Sequence, residues 1–359
     1  MTTREDVEQM IARGATFQGS VLDGLDLHGL DFGGSVFLEA SLRRTKFVNA
    51  RMSESSFSSS NLSGADFSGA TLKRCSFHKC EAPAARFENA DLSRAKFAEC
   101  LLPAIQAPSA DLLHTSWYKT DLTRAVFDGA KLERANFVEA VFIDTSFIGS
   151  LLKRTTFMES DLSTTSIEKA DFQRITVQKG KFGKKSFAGV DLSLSQLMTC
   201  DLDQCDFSDA NLEQTGFTGS SLRGAIFKNA NLKSALFPEA KLSQAIFAGG
   251  TLTSTIFIDA DVSLGDFRGA KADMAIFIRA NCTGSIFNDA DLTYADMTYS
   301  TLKDCDFTGA TMFRTRLHGA NQDGARFGAT KATALGDDED LRTSDTWWAK
   351  HHKPSEEAR

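Results

Sequence analysis

The sequence has no apolar run long enough to span a membrane, and it opens with the charged stretch Met1-Thr2-Thr3-Arg4-Glu5-Asp6. Neither a signal peptide nor a membrane anchor is therefore expected, and residence in the cytoplasm is. None of its seven cysteines stands in a Cys-x-x-Cys pair, which leaves no metal knot or redox motif to build on. The glycines between Gly24 and Gly34 do not form a phosphate-binding loop. Histidines are few and scattered: His28, His78, His114 and His318 lie far apart along the chain, and His351 and His352 stand near its end. Nothing in this inventory makes a nucleophile with its base, or a pair of carboxylates in a desolvated cleft. We expect no enzyme, no cofactor and no metal. Charge of one sign is also scarce, at a net of −7 over 359 residues. Aromatic content is lopsided, with three Trp and three Tyr against 29 Phe.

Those phenylalanines carry the main signal. A position usually held by Phe or Leu recurs at every fifth residue from Phe17 to Ala332 without a slip of phase, giving 64 units in which Gln322 is the one polar exception. Two positions before it stands a small residue, as in Ala40, Ala50, Ser60, Ala70 and Cys80. A period of five is neither the 3.6 of a helix nor the 2 of a strand, and a strict short repeat implies a solenoid. Of the 29 Phe, 28 take the large inward position and only Phe313 does not. Phe and Leu alternate with a period of ten, which fits two Phe walls facing each other across two Leu walls in a square coil of 20 residues. Eighteen of the 26 glycines fall at the last position of the unit, where a corner needs positive φ. Sixteen coils at about 4.8 Å each predict a rod of roughly 75 Å. The repeat also absorbs the cysteines. Cys75, Cys80, Cys100, Cys200, Cys205 and Cys305 take the small inward position and Cys282 the large one, so each reads as a small buried hydrophobe.

The motif Ala-[Asp/Asn]-Leu-x-x is visible at Ala90-Asp91-Leu92, Ala210-Asn211-Leu212, Ala230-Asn231-Leu232 and Ala290-Asp291-Leu292, with Ala65-Asp66-Phe67 and Ala130-Lys131-Leu132 as variants. In this the chain resembles the pentapeptide-repeat family over residues 15 to 334. The resemblance implies an all-β fold, a right-handed quadrilateral β-helix of about 16 coils. It also implies a choice of functions, since the family includes topoisomerase inhibitors that mimic DNA, secreted effectors, and proteins found with type VI secretion components. Residues 1–14 are expected to form a capping helix, with Thr3 and Asp6 at its start and Val7, Met10 and Ile11 on one face. Residues 335–359 leave the repeat as a tail. Trp347 and Trp348 are expected to cover the last coil or dock a partner, and the stretch from Pro354 to be disordered.

Charge argues against DNA mimicry as the leading reading. Faithful mimicry over roughly 75 Å would need on the order of 40 negative charges. The repeat carries −3, and its four walls carry about −1, −2, −3 and +3. Direct nucleic-acid binding is not expected either, because Lys179, Lys181, Lys184 and Lys185 form the one concentrated basic stretch. What stands out is the wall that contains Phe17 and Phe37. Its outward positions hold Tyr118, Val138 and Met158, and later Leu236, Ile256, Ile258, Ile276 and Ile278. An apolar stripe on one wall points to a protein partner or a homodimer contact. The expected function is thus a non-enzymatic scaffold or adaptor, with type VI secretion as one setting. Two irregular places complete the reading. Lys185 at a small inward position predicts a distorted coil with its side chain turned out, and Pro103 and Pro108 predict a perturbed corner.

Overall fold

The computed structural model of the chain describes residues 2–14 and 16–351. They fall into two compact units, one of Met1–Lys185 with Val190–Asp201 and the other of Ser186–Gly189 with Leu202–Arg359. Each unit is a stretch of parallel β-solenoid, and the turns number about 16 in all.

The five-residue unit explains the coil directly. Its middle apolar residue points inward; the next two form a β-turn closed by a hydrogen bond from the following small residue, as Ala65 N donates to Leu62 O at 2.9 Å. The second turn residue has positive φ at nearly every corner, as a type II turn requires. Glycine suits that place, yet many corners carry Arg, Lys, Glu or Asp there with φ near +55°, for example Arg134 and Glu159. The motif's Asp or Asn stabilises the same turn from outside. The Oδ1 of Asp66, Asp121 and Asp291 accepts from the backbone N–H two residues on, at 3.0, 2.9 and 3.0 Å. These acids are turn residues, which gives them a structural role of their own.

Register is fixed at 20. In the first unit Phe37 pairs with Phe57, Phe57 with Phe77 and Phe137 with Phe157, all parallel. In the second, Leu236 bridges Ile256 and Ile256 bridges Ile276. Rings one coil apart therefore stack, Phe57 on Phe77 at 4.7 Å and Phe257 on Phe277 at 4.8 Å. Rings from opposite walls meet edge to face, as Phe257 does with Phe247 at 5.6 Å.

The small inward position holds Ser, Thr and Cys as well as Ala for a specific reason. The hydroxyl donates to the carbonyl 23 residues earlier: Thr45 to Leu22, Thr255 to Leu232 and Thr315 to Leu292, each at 2.8 Å. Cys75 and Cys305 do the same with their thiols, to Met52 O at 2.8 Å and Cys282 O at 2.9 Å. Buried polar atoms are thereby satisfied; among the described residues Thr120 Oγ1 alone lacks a partner.

The capping helix α1 spans Arg4–Ala12. Thr3 Oγ1 accepts from Asp6 N, and Asp6 Oδ2 accepts from Thr3 N at 2.7 Å, a complete capping box. Val7 is fully buried, and Arg4 holds the helix down by donating to Asp26 O and His28 O, both at 3.1 Å.

Two irregularities turn out differently from each other. Around Lys185 the coil is distorted as expected: the left-handed corner falls on Gly183, one residue early. The Lys185 side chain, expected to turn out to solvent, is half-buried instead, and its ammonium donates to Thr165 O at 2.6 Å and to Ser163 O at 3.4 Å. The corners at Pro103 and Pro108 are regular, contrary to expectation. Ala104 and Ser109 keep the left-handed φ, and both prolines still accept from the previous coil, at 2.9 and 3.1 Å. Proline fits because this turn position needs φ near −60° and gives no N–H to the ladder.

Candidate protein-binding surface

In the first unit the outward wall is built from the strands Ser76–His78, Lys96–Ala98, Ser116–Tyr118, Asn136–Val138 and Thr156–Met158. Ala98, Tyr118, Val138 and Met158 occupy one register column. Tyr118 is exposed, while the other three are half-buried, because stacked neighbours one coil apart cover each other's flanks. They form a shelf. Along one rim, corner residues of opposite sign pair from coil to coil: Lys79 with Glu99 at 3.8 Å, Lys119 with Glu139 at 3.5 Å and Lys179 with Glu159 at 2.7 Å.

In the second unit Leu236, Ile256, Ile258, Ile276 and Ile278 are likewise half-buried. The end of this column runs into the tail. Leu335 bridges Arg316, and Leu317 N donates to Leu335 O at 2.8 Å. Helix α2, Glu339–His351, then lies over the wall and makes a groove of about 790 Å³ lined by Ile278, Arg279, His318, Leu335 and Leu341 among others.

Acids hold the tail in place. Asp345 accepts from Tyr299 Oη at 2.7 Å and lies 3.2 Å from His318 Nε2, while Asp338 N donates to His318 Nδ1 at 3.1 Å. His318, far from the other histidines in the sequence, is buried among tail acids. The bond from Tyr299, and then that from His318, hold the Asp345 carboxyl below the usual carboxylate range, and the same contact pushes the Tyr299 phenol up. Trp347, on helix α2, is 56% exposed. Trp348 lies outside the residues whose side chains are described, as does the segment from Pro354.

The cysteines are buried, as the repeat requires. Burial pushes the Cys75 and Cys305 thiols up to about 12 and Cys200 up to about 11, so they stay protonated at neutral pH. The hydrogen bond between Cys80 and Cys100 raises the first and lowers the second. Among the described residues no group of three or more His, Cys, Asp or Glu is arranged to hold a metal ion.

Family models for the pentapeptide repeat region match residues 50–120 and 170–247, and models for eight copies of the repeat match 109–137, 135–174, 275–314 and 290–331. The chain belongs to the pentapeptide-repeat family. Similar solved structures include HetL, a pentapeptide repeat protein involved in heterocyst differentiation regulation in the cyanobacterium Nostoc sp. strain PCC 7120. It is 20% identical, with 91% of this chain and 95% of that chain covered and a TM-score of 0.15. Another is QnrB1, a plasmid-mediated fluoroquinolone resistance protein, 17% identical over 63% of this chain and 92% of that one, at a TM-score of 0.23. No curated protein sequence matches the chain significantly.

Two surface features of this pentapeptide-repeat protein escaped the linear reading. Val141 and Ile143, next to the shelf across the Glu139 corner, are 43% and 53% exposed. Arg74, Arg94, Arg134, Arg154 and Arg174, with His114 among them, share one corner column. Being 20 residues apart, they never form a basic run, and writing the sequence in rows of 20 would have aligned them.

Proposed function

We propose that this protein is a non-enzymatic protein-binding scaffold that docks partners on the outward wall bearing Tyr118, Val138 and Met158 in the first unit and Leu236, Ile256, Ile258, Ile276 and Ile278 in the second. The observation that carries it is the register: within each unit apolar side chains stack coil on coil, Tyr118 with Val138 and Met158 in the first and Leu236 with Ile256 and Ile276 in the second, and the first unit's shelf lies beside a rim whose charges pair. Half-burial in such a column leaves a continuous apolar strip whose desolvation favours association. The coil-to-coil ion pairs also favour docking over DNA mimicry, because carboxylates such as Glu99, Glu139, Glu159 and Asp259 are spent on Lys and Arg neighbours.

The test is affinity capture from native lysate with the wild-type chain beside two variants, Val138→Asp with Met158→Asp, and Ile256→Asp with Ile258→Asp, Ile276→Asp and Ile278→Asp. Circular dichroism establishes that each is folded. A specific protein reduced tenfold or more in one variant is the expected result. Identical captures from all three would contradict the proposal.

A further inference from the structure

The rim of the first unit's shelf opposite the paired charges carries charge of one sign. Arg74, Arg94, His114, Arg134, Arg154 and Arg174 are all exposed, all at the left-handed corner with φ between 56° and 62°, and stacked one per coil. Arg74 pairs with Glu54 at 3.1 Å, but among the described residues Arg94, Arg134, Arg154 and Arg174 form no ion pair. Like charges at about one coil spacing, roughly 4.8 Å, repel each other, whereas the far rim mixes Lys with Glu and pairs them. Nothing in the turn demands arginine; Gly34, Leu194 and Ser234 take the same corner elsewhere in the sequence. Between coils the column opens into a groove of about 410 Å³, lined by Leu113, Glu133, Lys153 and the guanidinium-bearing Arg134, Arg154 and Arg174.

Resting on the scaffold reading, we infer that this arginine edge and the adjoining shelf of Tyr118, Val138 and Met158 receive an acidic amphipathic helix of a partner protein, laid along the stacking direction. Spacing selects a helix. Its acids at i, i+4, i+7 and i+11 advance about 5.4 Å per turn, against about 4.8 Å per arginine. The mismatch over the three turns that these four acids span is about 2 Å, which flexible arginine stems absorb. An extended segment presents same-side residues about 6.7 Å apart and drifts out of step three times faster. The wall's backbone is already hydrogen-bonded from coil to coil, so a partner strand has no edge to add to there. Shelf chemistry selects protein over nucleic acid: it offers one ring, Tyr118, where single strands need a series of stacking platforms. Leucines flanking the acids of such a helix would seat on Val138 and Met158.

The experiment measures binding to the full chain by fluorescence anisotropy. The probe is a labelled 18-residue helical peptide with Glu at i, i+4, i+7 and i+11 and Leu on the adjacent face. Controls are the same composition scrambled and a 20-nucleotide oligothymidylate. We expect the patterned peptide to bind at least tenfold tighter than the scrambled one and to weaken tenfold or more between 50 and 300 mM salt. It should also lose at least thirtyfold on Arg94→Glu with Arg134→Glu and Arg154→Glu. The milder triple Arg→Gln variant should lose less, in the same order, which separates charge from misfolding. Equal binding of patterned and scrambled peptides, or tighter binding of oligothymidylate with the same arginine dependence, overturns the inference. A captured lysate protein that survives the arginine changes but not the shelf changes would also overturn it while leaving the scaffold reading intact.

Discussion

Replacing Phe257 by Ala is expected to destabilise the second unit by about 3–5 kcal/mol, the range for removing a large buried side chain. Phe257 is fully buried and stacks on Phe237 at 5.1 Å and Phe277 at 4.8 Å, with edge contacts to Phe247 at 5.6 Å and Phe267 at 6.1 Å. Cutting it away opens a cavity in the middle of an aromatic column and cancels four ring pairs at once, each worth about 0.5–1.5 kcal/mol beyond area. Phe257→Leu, which places on this wall the residue that other walls use, should cost less than half as much. Urea unfolding followed by circular dichroism gives both values. Equal costs would contradict this expectation and mean that the ring contacts, and not the burial of apolar volume, carry the whole contribution of Phe257.

Removing residues 2–14 should have the second large effect, this time on association. Helix α1 buries Val7 at the start of the solenoid and is tied down by Arg4 to Asp26 O and His28 O. Without it, the end of the Phe17 coil presents bare apolar side chains and a row of unpaired backbone donors and acceptors. Terminal repeats need a polar cap for solubility, and an open parallel edge is a template for another chain. Size-exclusion chromatography with light scattering should show the truncated chain moving to higher oligomers or to aggregate, while Met10→Ala, at a half-buried position of the same helix, leaves the distribution unchanged. A truncated chain with an unchanged elution profile would show that α1 is dispensable as a cap.

The fold was legible in the sequence because its strongest constraint is local. A five-residue unit with one large and one small inward side chain repeats at every turn, so phase alone locates Phe257, Cys305 and Thr45 in the core. The candidate surface was legible only in part. Tyr118, Val138 and Met158 emerged because apolar residues are conspicuous on an outward position. The arginine column did not, because charges 20 residues apart become neighbours only once the coil closes. The tail was harder still. The contact of Tyr299 with Asp345 spans 46 residues and belongs to no period, so neither it nor the burial of His318 leaves a linear trace. Pro103 and Pro108 misled for the opposite reason. They look like disruption, yet they fall at the turn position whose φ proline already favours.

The central claim is that one wall, and not the solenoid surface at large, meets the partner. Site-specific photo-crosslinking tests it most directly, with a benzophenone side chain placed at Val138 on the shelf or at Val126 two walls away in the same coil. The account predicts one dominant crosslinked protein from position 138 and at least tenfold less of it from position 126. Equal yields from the two positions, or a partner captured from position 126 alone, would contradict it.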